Sequence, residues 1–268
     1  MKDICCIGHI TRDKIITPSQ SVSMSGGTAF YMAYGINNLP HDIAFQLVTK
    51  VGPESHEEVD RMRQAGIDVV CYDSAKSVYF ENRYGIDSNQ RTQRVLAKAD
   101  PFTIEEVLPL EAKVFHLGSL LADDFPVEVV KALAEKGRIS IDVQGYLREV
   151  RGEKVYAVKW NAMEEILAYT DILKLNEHEM EMITNSKDPR TVALQMASYG
   201  VREVVITLGS FGSLIYADKQ FSLPMSRDKL WMPQDVAILT RQDTSTCAVL
   251  GLTLMPQVSL LLPCVHRN

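Results

Sequence analysis

Residues 204–216 read VVITLGSFGSLIY, two apolar runs rich in β-branched side chains on either side of a Thr-x-Gly-x-x-Gly turn. This pattern predicts a strand, a tight loop and a second strand. Gly209 and Gly212 allow positive φ and let a bound group approach the main chain closely. A ligand-binding loop at the end of a strand is one interpretation, and an ordinary β-hairpin with a glycine bulge is the other.

The chain before this stretch alternates short apolar runs with amphipathic helices. Residues 4–10 (ICCIGHI) are continuously apolar, which is typical of a strand buried on both faces of a parallel sheet. Further strands are predicted at 43–51, 69–72, 114–120, 139–143 and 171–175. Helices separate most of them, so the expected fold is α/β, a three-layer, doubly wound, mostly parallel sheet in one domain.

One segment breaks this alternation. Residues 78–86 and 91–99 alternate polar and apolar side chains with no helix between them. They predict a polar-faced hairpin, which is either a lid or a decorative edge hairpin.

Composition narrows the class of protein. The chain has 268 residues and a formal net charge of −6, which argues against a nucleic-acid-binding surface. Cys5 and Cys6 lie inside an apolar run and are interpreted as small core residues, so a reducing compartment is expected. The first apolar run is too short to cross a bilayer, so no membrane association is expected and the cytoplasm is the default location.

Common cofactor motifs are missing from the sequence. It has no G-x-x-x-x-G-K-[ST], no G-x-G-x-x-G after the first strand, no H-E-x-x-H and no C-x-x-C, so neither zinc nor a nicotinamide cofactor is indicated. Polar residues instead follow the predicted strands, where parallel strands share one rim. They are Asp13, Gly26, Gly27, Asp142, Asn176 with Glu179, and Thr207 with Gly209 and Gly212.

Hydroxyl-binding groups beside a glycine loop suit a sugar next to a phosphate donor. Each also has a simpler interpretation. Asn176 and Glu179 fit a helix capping box, and Asp13 fits a turn cap. The histidines His9, His116 and His178 have no carboxylate or serine at a diagnostic spacing and are interpreted as structural.

Taken in order, these motifs resemble the ribokinase-like (PfkB) carbohydrate kinases, and the resemblance runs from residue 1 to about residue 221. It implies that Asp13, Gly26 and Gly27 contact sugar hydroxyls and that residues 77–99 form a lid over the sugar, with Asn82 among the substrate contacts. Tyr31 stands where many members carry Asn, so that contact is not carried over. The lid also implies a homodimer through its outer face.

The same resemblance implies ATP and Mg²⁺ as cofactors. Asn176 and Glu179 match an Asn-x-x-Glu motif that resembles a phosphate and Mg²⁺ site, with Glu179 nearest the metal. Thr207, Gly209 and Gly212 match the ATP-binding loop. Residues 80–84, 93–96 and 142–145 resemble the inositol-kinase-like branch, so a small sugar or polyol is the expected partner.

The resemblance ends after the second glycine-bearing strand. The family's Asp-x-x-Gly-x-Gly-Asp motif should follow, because its amides hold the transferring phosphate and its last Asp deprotonates the sugar hydroxyl. No match follows Phe221, and Asp235 and Asp243 lack a glycine-rich turn. No catalytic residue is therefore assigned.

The genetic code suggests why this motif is missing. The codons GAT GCC ACA GGA TGT GGC GAT ACT TAC encode Asp-Ala-Thr-Gly-Cys-Gly-Asp-Thr-Tyr. Read one base later they encode Met-Pro-Gln-Asp-Val-Ala-Ile-Leu, which is the sequence of residues 232–239. The hypothesis is a frameshift near residues 221–223, which makes 222–268 an out-of-frame tail and leaves the C-terminal part of the fold missing or aberrant.

Three functions follow from these observations. The first is an ATP-dependent kinase for a sugar or polyol whose catalytic step is impaired in this chain. The second is a non-catalytic protein that still binds a sugar or a nucleotide. The third, a reductase-like α/β enzyme, is disfavoured by the missing dinucleotide fingerprint.

Overall fold

A computed structural model describes residues 1–39, 43–85 and 91–222, together with two short strands at 238–239 and 248–249. Its main feature is a nine-stranded sheet of order β15-β14-β13-β12-β9-β8-β1-β4-β5, parallel from β13 to β5, with β14 and β15 antiparallel at one edge. These strands are β1 (Lys2–Ile7), β4 (Phe45–Val51), β5 (Val69–Asp73), β8 (Ala112–Leu117), β9 (Arg138–Asp142), β12 (Ile172–Asn176), β13 (Glu203–Thr207), β14 (Ser213–Ala217) and β15 (Gln220–Ser222).

Helices cover both faces of this sheet. They are α1 (Thr28–Asn37), α2 (His56–Gln64), α3 (Ile104–Val107), α4 (Val127–Ala134), α5 (Met163–Leu167), α6 (Glu177–Thr184) and α7 (Pro189–Ser198). Side chains of α1 and α2 pack in one core cluster, and side chains of α3 to α7 pack in another. The predicted three-layer, doubly wound, mostly parallel architecture is confirmed.

The first strand shows why the sheet is buried on both sides. Ile4 and Cys6 belong to the core cluster under α1 and α2, whereas Cys5 and Ile7 belong to the cluster on the opposite face. Alternate residues of a strand point to opposite faces, so a continuously apolar run needs cover on both. Burial also raises the pKa of Cys5 to about 12, so this thiol remains protonated, as expected of a core residue.

A second sheet has six strands in the order β10-β11-β7-β6-β2-β3, and we call it the lid because it contains the hairpin for which that role is expected. Its strands are β2 (Thr11–Ile16), β3 (Ser21–Gly26), β6 (Val78–Tyr84), β7 (Arg91–Ala97), β10 (Arg148–Arg151) and β11 (Lys154–Ala157). The predicted hairpin is present as β6 and β7, which pair antiparallel. The lid is nevertheless larger than that hairpin, because three separate segments of the chain contribute strands to it.

This larger lid corrects the placement of Asp13. The sequence suggested that Asp13 follows the first central strand at the rim of the parallel sheet. It lies instead inside β2, which pairs parallel with β6 and antiparallel with β3 in the lid. Short, polar strands of this kind have no strong sequence signal, because their pairing partners are distant in the chain.

Two further expectations concern other parts of the chain. No helix among the described residues is long and apolar enough to cross a membrane. The proposed out-of-frame tail, with Asp235 and Asp243, lies outside the described residues except for Ser222 and the two strands β16 (Ile238–Leu239) and β17 (Ala248–Val249), which pair antiparallel.

Candidate functional site: the rim between the sheet and the lid

The crevice of this fold lies between β1 and β8. From β1 the sheet continues through β4 and β5 on one side and through β8, β9, β12 and β13 on the other, so β1 and β8 form the topological switch point. Gly8 follows β1, and Gly118 follows β8. A Cβ on Gly8 would lie 2.9 Å from the carbonyl oxygen of Gly118. Ligands of open α/β sheets bind outside the carboxyl ends of strands at such a point.

The lid places a carboxylate at this crevice. Asp13 is buried, and the hydroxyl of Thr11 donates a 2.8 Å hydrogen bond to its Oδ1. Gly26 lies beside it on β3, where a Cβ would come within 2.5 Å of Asp13 Oδ2. Only glycine leaves room for the carboxylate in this position. The structure therefore brings Asp13 and Gly26 together, although the lid, not the central sheet, does so.

Gly27 connects the lid to α1. It is the N-cap of α1 with φ 96°, and a Cβ there would lie 2.6 Å from the carbonyl oxygen of His9. Both the positive φ and the close approach favour glycine. Tyr31, in the first turns of this helix, has its pKa raised to about 12 by burial and by the nearby Asp13 charge, so its phenol remains a hydrogen-bond donor.

Asn82 lies on the same face of the lid as Asp13. In the register of β2 and β6, Asp13 pairs with Phe80 and Ile15 pairs with Asn82, and residues two apart on a strand share a face. The Asn82 side chain is buried, and its Oδ1 accepts a 2.9 Å hydrogen bond from Gln93 Nε2. The amide is thus held in one orientation on the face that carries Asp13.

At the other end of the rim, Asn176 and Glu179 form the capping box that the sequence suggested. Asn176 Oδ1 accepts hydrogen bonds from the amides of His178 and Glu179, each 2.9 Å, and Glu179 Oε2 accepts one of 2.8 Å from the Asn176 amide. Glu179 is only 6% exposed. Burial raises its pKa, the Lys174 cation opposes that shift, and the Asp142 charge adds to it.

Two residues of this rim, Lys174 and Asp142, form an ion pair that the sequence did not predict. Lys174 was not singled out, and Asp142 was singled out without a partner. Lys174 Nζ lies 3.3 Å from Asp142 Oδ2, and the two side chains are 2% and 0% exposed. They are on neighbouring parallel strands, β12 and β9, where Lys174 pairs in register with Asp142. A charged residue inside an otherwise apolar strand was the available signal, because lysine is rarely buried without a partner.

The glycine stretch forms the predicted strand, tight loop and second strand, a geometry that both interpretations of it share. β13 and β14 pair antiparallel, and the loop contains positive φ values of 53° at Gly209 and 90° at Gly212. Thr207 pairs in register with Asn176 at the end of β12. A Cβ on Gly209 would lie 3.8 Å from Glu177 Oε1 at the start of α6. The glycine loop therefore lies beside the capping box.

The rim thus has two groups of residues. Asp13, Gly26, Gly27 and Asn82 are at the lid, and Asn176, Glu179, Thr207, Gly209 and Gly212 are at the ends of β12 and β13. Three strand spacings separate β1 from β12 in the sheet order, about 14 Å. This span leaves room for two small ligands side by side.

One histidine of β8, His116, belongs to the core. His116 is fully buried, its Nδ1 lies 3.0 Å from Ser140 Oγ, and burial lowers its pKa to about 4. It is a neutral core residue.

Among the described residues, no group of three or more His, Cys, Asp or Glu side chains could hold a metal ion by itself. Mg²⁺ usually binds one or two carboxylates and keeps its other ligands as water and phosphate, and Glu179 is one carboxylate at this rim.

Known proteins resemble this chain over nearly all of its described length. The sequence profile of the pfkB family carbohydrate kinases matches residues 1–229. A cytidine kinase from Thermococcus kodakarensis is 28% identical over 222 residues, which are 81% of this chain and 76% of that protein.

Solved structures agree. A pyrophosphate-dependent kinase in the ribokinase family, in a sulfate complex, has 26% identity and a TM-score of 0.77, covering 86% of this chain and 81% of that chain. A pyrophosphate-dependent kinase in the ribokinase family, complexed with a pyrophosphate analog and myo-inositol, has 26% identity and a TM-score of 0.76 over the same shares.

Proposed function

Because the chain belongs to the pfkB family of carbohydrate kinases, we propose that its lid binds a small polyol, sugar or nucleoside and that its glycine hairpin binds a phosphate donor. The main evidence for this proposal is the position of Asp13 at the switch-point crevice. Its carboxylate is buried, accepts a hydrogen bond from the Thr11 hydroxyl and lies against Gly26. A carboxylate accepts hydrogen bonds from two adjacent hydroxyls, which polyols and ribose both offer.

The polar side chains on the lid face narrow the class of compound that could be the phosphate acceptor. Asn82 and Gln93 add an oriented amide pair beside Asp13, and Tyr31 adds a phenol donor. Polar groups of this density suit a ligand with several hydroxyls. The kinase complexed with myo-inositol, which is similar in structure to this chain, makes a cyclic polyol the first acceptor to test.

The donor is proposed to be ATP with Mg²⁺. Glycines in the hairpin loop allow phosphate oxygens to approach backbone amides, and Asn176 and Thr207 end neighbouring strands next to them. Glu179 would hold Mg²⁺ directly or through water. When bound, Mg²⁺ neutralises charge on the phosphate oxygens during transfer.

The residues of this chain bind and orient both ligands, and the lid excludes water from the acceptor. The sequence lacks the Asp-x-x-Gly-x-Gly-Asp motif that would supply the base, so we propose that transfer is impaired by several powers of ten. The same observation favours a second candidate function, a binding protein without turnover.

Calorimetry tests the binding proposal. We expect myo-inositol, ribose or cytidine to bind the wild-type protein and Asp13→Asn to weaken that binding at least about tenfold. Asp60→Asn is the matched control, because Asp60 is exposed on α2 and pairs only with Arg63 in the described residues. If none of the three compounds binds, or if the two variants behave alike, the acceptor site is not where we place it.

A coupled ADP-release assay separates the two functions. Binding without any ADP release supports the binding protein, whereas slow ADP release that depends on the acceptor supports the impaired kinase. Turnover at a rate ordinary for a kinase, about 1–100 per second, would contradict the loss of the base.

A further inference from the structure

A cavity of about 450 Å³ lies away from the rim residues described above. Its walls come from the loop before α4, from α5, from the turn that precedes β10 and from the segment that follows β11. Its apolar and aromatic lining consists mainly of Phe125, Val127, Tyr146, Val158, Trp160 and Ile166. None of the residues assigned to the acceptor or the donor lines it. We call it the Trp160 cavity.

Two buried hydrogen-bond donors in its walls have no acceptor among the described residues. They are the Tyr146 hydroxyl and the Trp160 indole N–H, on side chains that are 3% and 8% exposed. The two rings stack with centroids 4.5 Å apart. A buried polar group without a partner costs about 1–3 kcal/mol, so two of them in one wall need an explanation.

The charged side chains at the cavity also favour a ligand that accepts hydrogen bonds. Lys159 lines it and makes no ion pair within the described part of the chain. Glu149 lines it too, but both of its oxygens accept hydrogen bonds from Arg151, at 3.1 and 2.7 Å. The buried groups at this cavity that lack partners are therefore two donors, a phenol and an indole N–H, and Lys159 adds an ammonium. Asn161 also lines the cavity, with an amide that can donate or accept.

The shape and chemistry of the walls indicate the kind of ligand. Stacked rings and aliphatic side chains accept a flat apolar body. An anionic group would pair with Lys159, and it would accept hydrogen bonds from Tyr146 and Trp160 once the two rings turn these buried donors towards it. We propose that the Trp160 cavity is a second small-molecule site, which takes a planar aromatic carboxylate. This inference does not depend on the kinase activity.

Tryptophan fluorescence offers a direct test. The chain has two tryptophans, so Trp231→Phe leaves Trp160 as the only one. We expect benzoate to change the Trp160 emission with a saturable curve and a Kd of about 1 mM or tighter. Benzyl alcohol, which keeps the ring but lacks the carboxylate, should bind at least about tenfold more weakly.

Two variants and a control locate the site. In the same background, Tyr146→Phe should weaken benzoate about tenfold because it removes one donor. Tyr156→Phe is the matched control, since Tyr156 lies on the adjacent hairpin and does not line the cavity. Ala162→Phe should abolish binding by filling the space.

No saturable change up to about 50 mM benzoate would overturn the proposal, because that limit is far above the expected Kd. Equal affinities in Tyr146→Phe and Tyr156→Phe would do the same. If Ala162→Phe fails to fold, the comparison of the two tyrosine variants still decides.

Discussion

Lys174 Nζ lies 3.3 Å from Asp142 Oδ2, and both side chains are almost completely withdrawn from solvent at the carboxyl ends of neighbouring strands. Ser119 also donates a 2.9 Å hydrogen bond to the backbone carbonyl of Asp142. The pair therefore joins β9 and β12 at the middle of the rim, between the acceptor and donor groups. A buried ion pair of this kind contributes more to the arrangement of the site than to net stability.

Breaking this pair should be costly. Lys174→Met removes the Lys174 cation from beside the buried Asp142 carboxylate, and we expect a loss of about 3–5 kcal/mol in the free energy of unfolding. Urea denaturation measures it. Lys187→Met is the control, because Lys187 is exposed and its pair with Glu181 should contribute less than about 1 kcal/mol. Similar losses in the two variants would show that the buried pair has no special role.

Gly26→Ala should damage acceptor binding. Its Cβ would meet Asp13 Oδ2 at 2.5 Å, so the carboxylate must move away from its position at the crevice. We expect affinity for myo-inositol, or for whichever acceptor binds the wild type, to fall at least about tenfold by calorimetry. Gly66→Ala is the control, since Gly66 has a positive φ but no atom within 4 Å of its Cβ position. A normal affinity in Gly26→Ala would separate Gly26 from the acceptor site.

Glu179→Gln should separate capping from metal binding. The Gln side chain can still accept the hydrogen bond from the Asn176 amide, so the capping box and the stability should be largely kept. The negative charge is lost, and the increase in ATP affinity that Mg²⁺ causes should shrink about tenfold. Glu181→Gln, on the same helix, is the control. An unchanged Mg²⁺ effect would leave Glu179 with the capping role alone.

His116 should make stability depend on pH. Burial lowers its pKa from 6.5 to about 4, so between these values the unfolded chain binds a proton that the folded chain does not. The resulting stability is fully present above pH 6.5 and is lost as the pH falls towards 4, up to about 3 kcal/mol in total.

Denaturation of His116→Gln across this pH range should therefore show a shallower dependence than the wild type. His56→Gln is the control, because His56 is exposed and pairs with Asp73 at the surface. If the wild type and His116→Gln have the same slope, the imidazole is not neutral in the folded protein.

The hypothesis of a reading-frame change can be tested at the level of the gene. A genomic read should contain the Asp-Ala-Thr-Gly-Cys-Gly-Asp motif in the alternative frame over residues 232–239. Restoring that frame after Phe221 should yield ADP release with the acceptor that binds the wild type, a gain of several powers of ten.

The control for the frame-restored protein is the same chain with the last Asp of that motif changed to Asn, which should bind both ligands and turn over poorly. A locus without an alternative-frame motif would remove the hypothesis.

Much of this fold could be read from local patterns. Continuous apolar runs predicted the central strands, and the strand predicted at 171–175 is observed one residue later, as β12 (Ile172–Asn176). The capping box of Asn176 and the glycine hairpin at Gly209 were also visible, because both depend on residues a few positions apart.

The extent of the lid was underestimated because its strands depend on residues that are far apart in the chain. β2 pairs with β6, and β11 pairs with β7, over long separations in the chain, and their polar sequences carry no strong period. What the sequence alone determined was the α/β alternation and the local chemistry of each strand end.

Only the tertiary structure decided that Asp13 belongs to the lid, that Lys174 is paired with Asp142, and that Tyr146 and Trp160 share a cavity. These relationships join residues that are distant in sequence. Their geometry follows from how strands pair and helices pack, which no local pattern specifies.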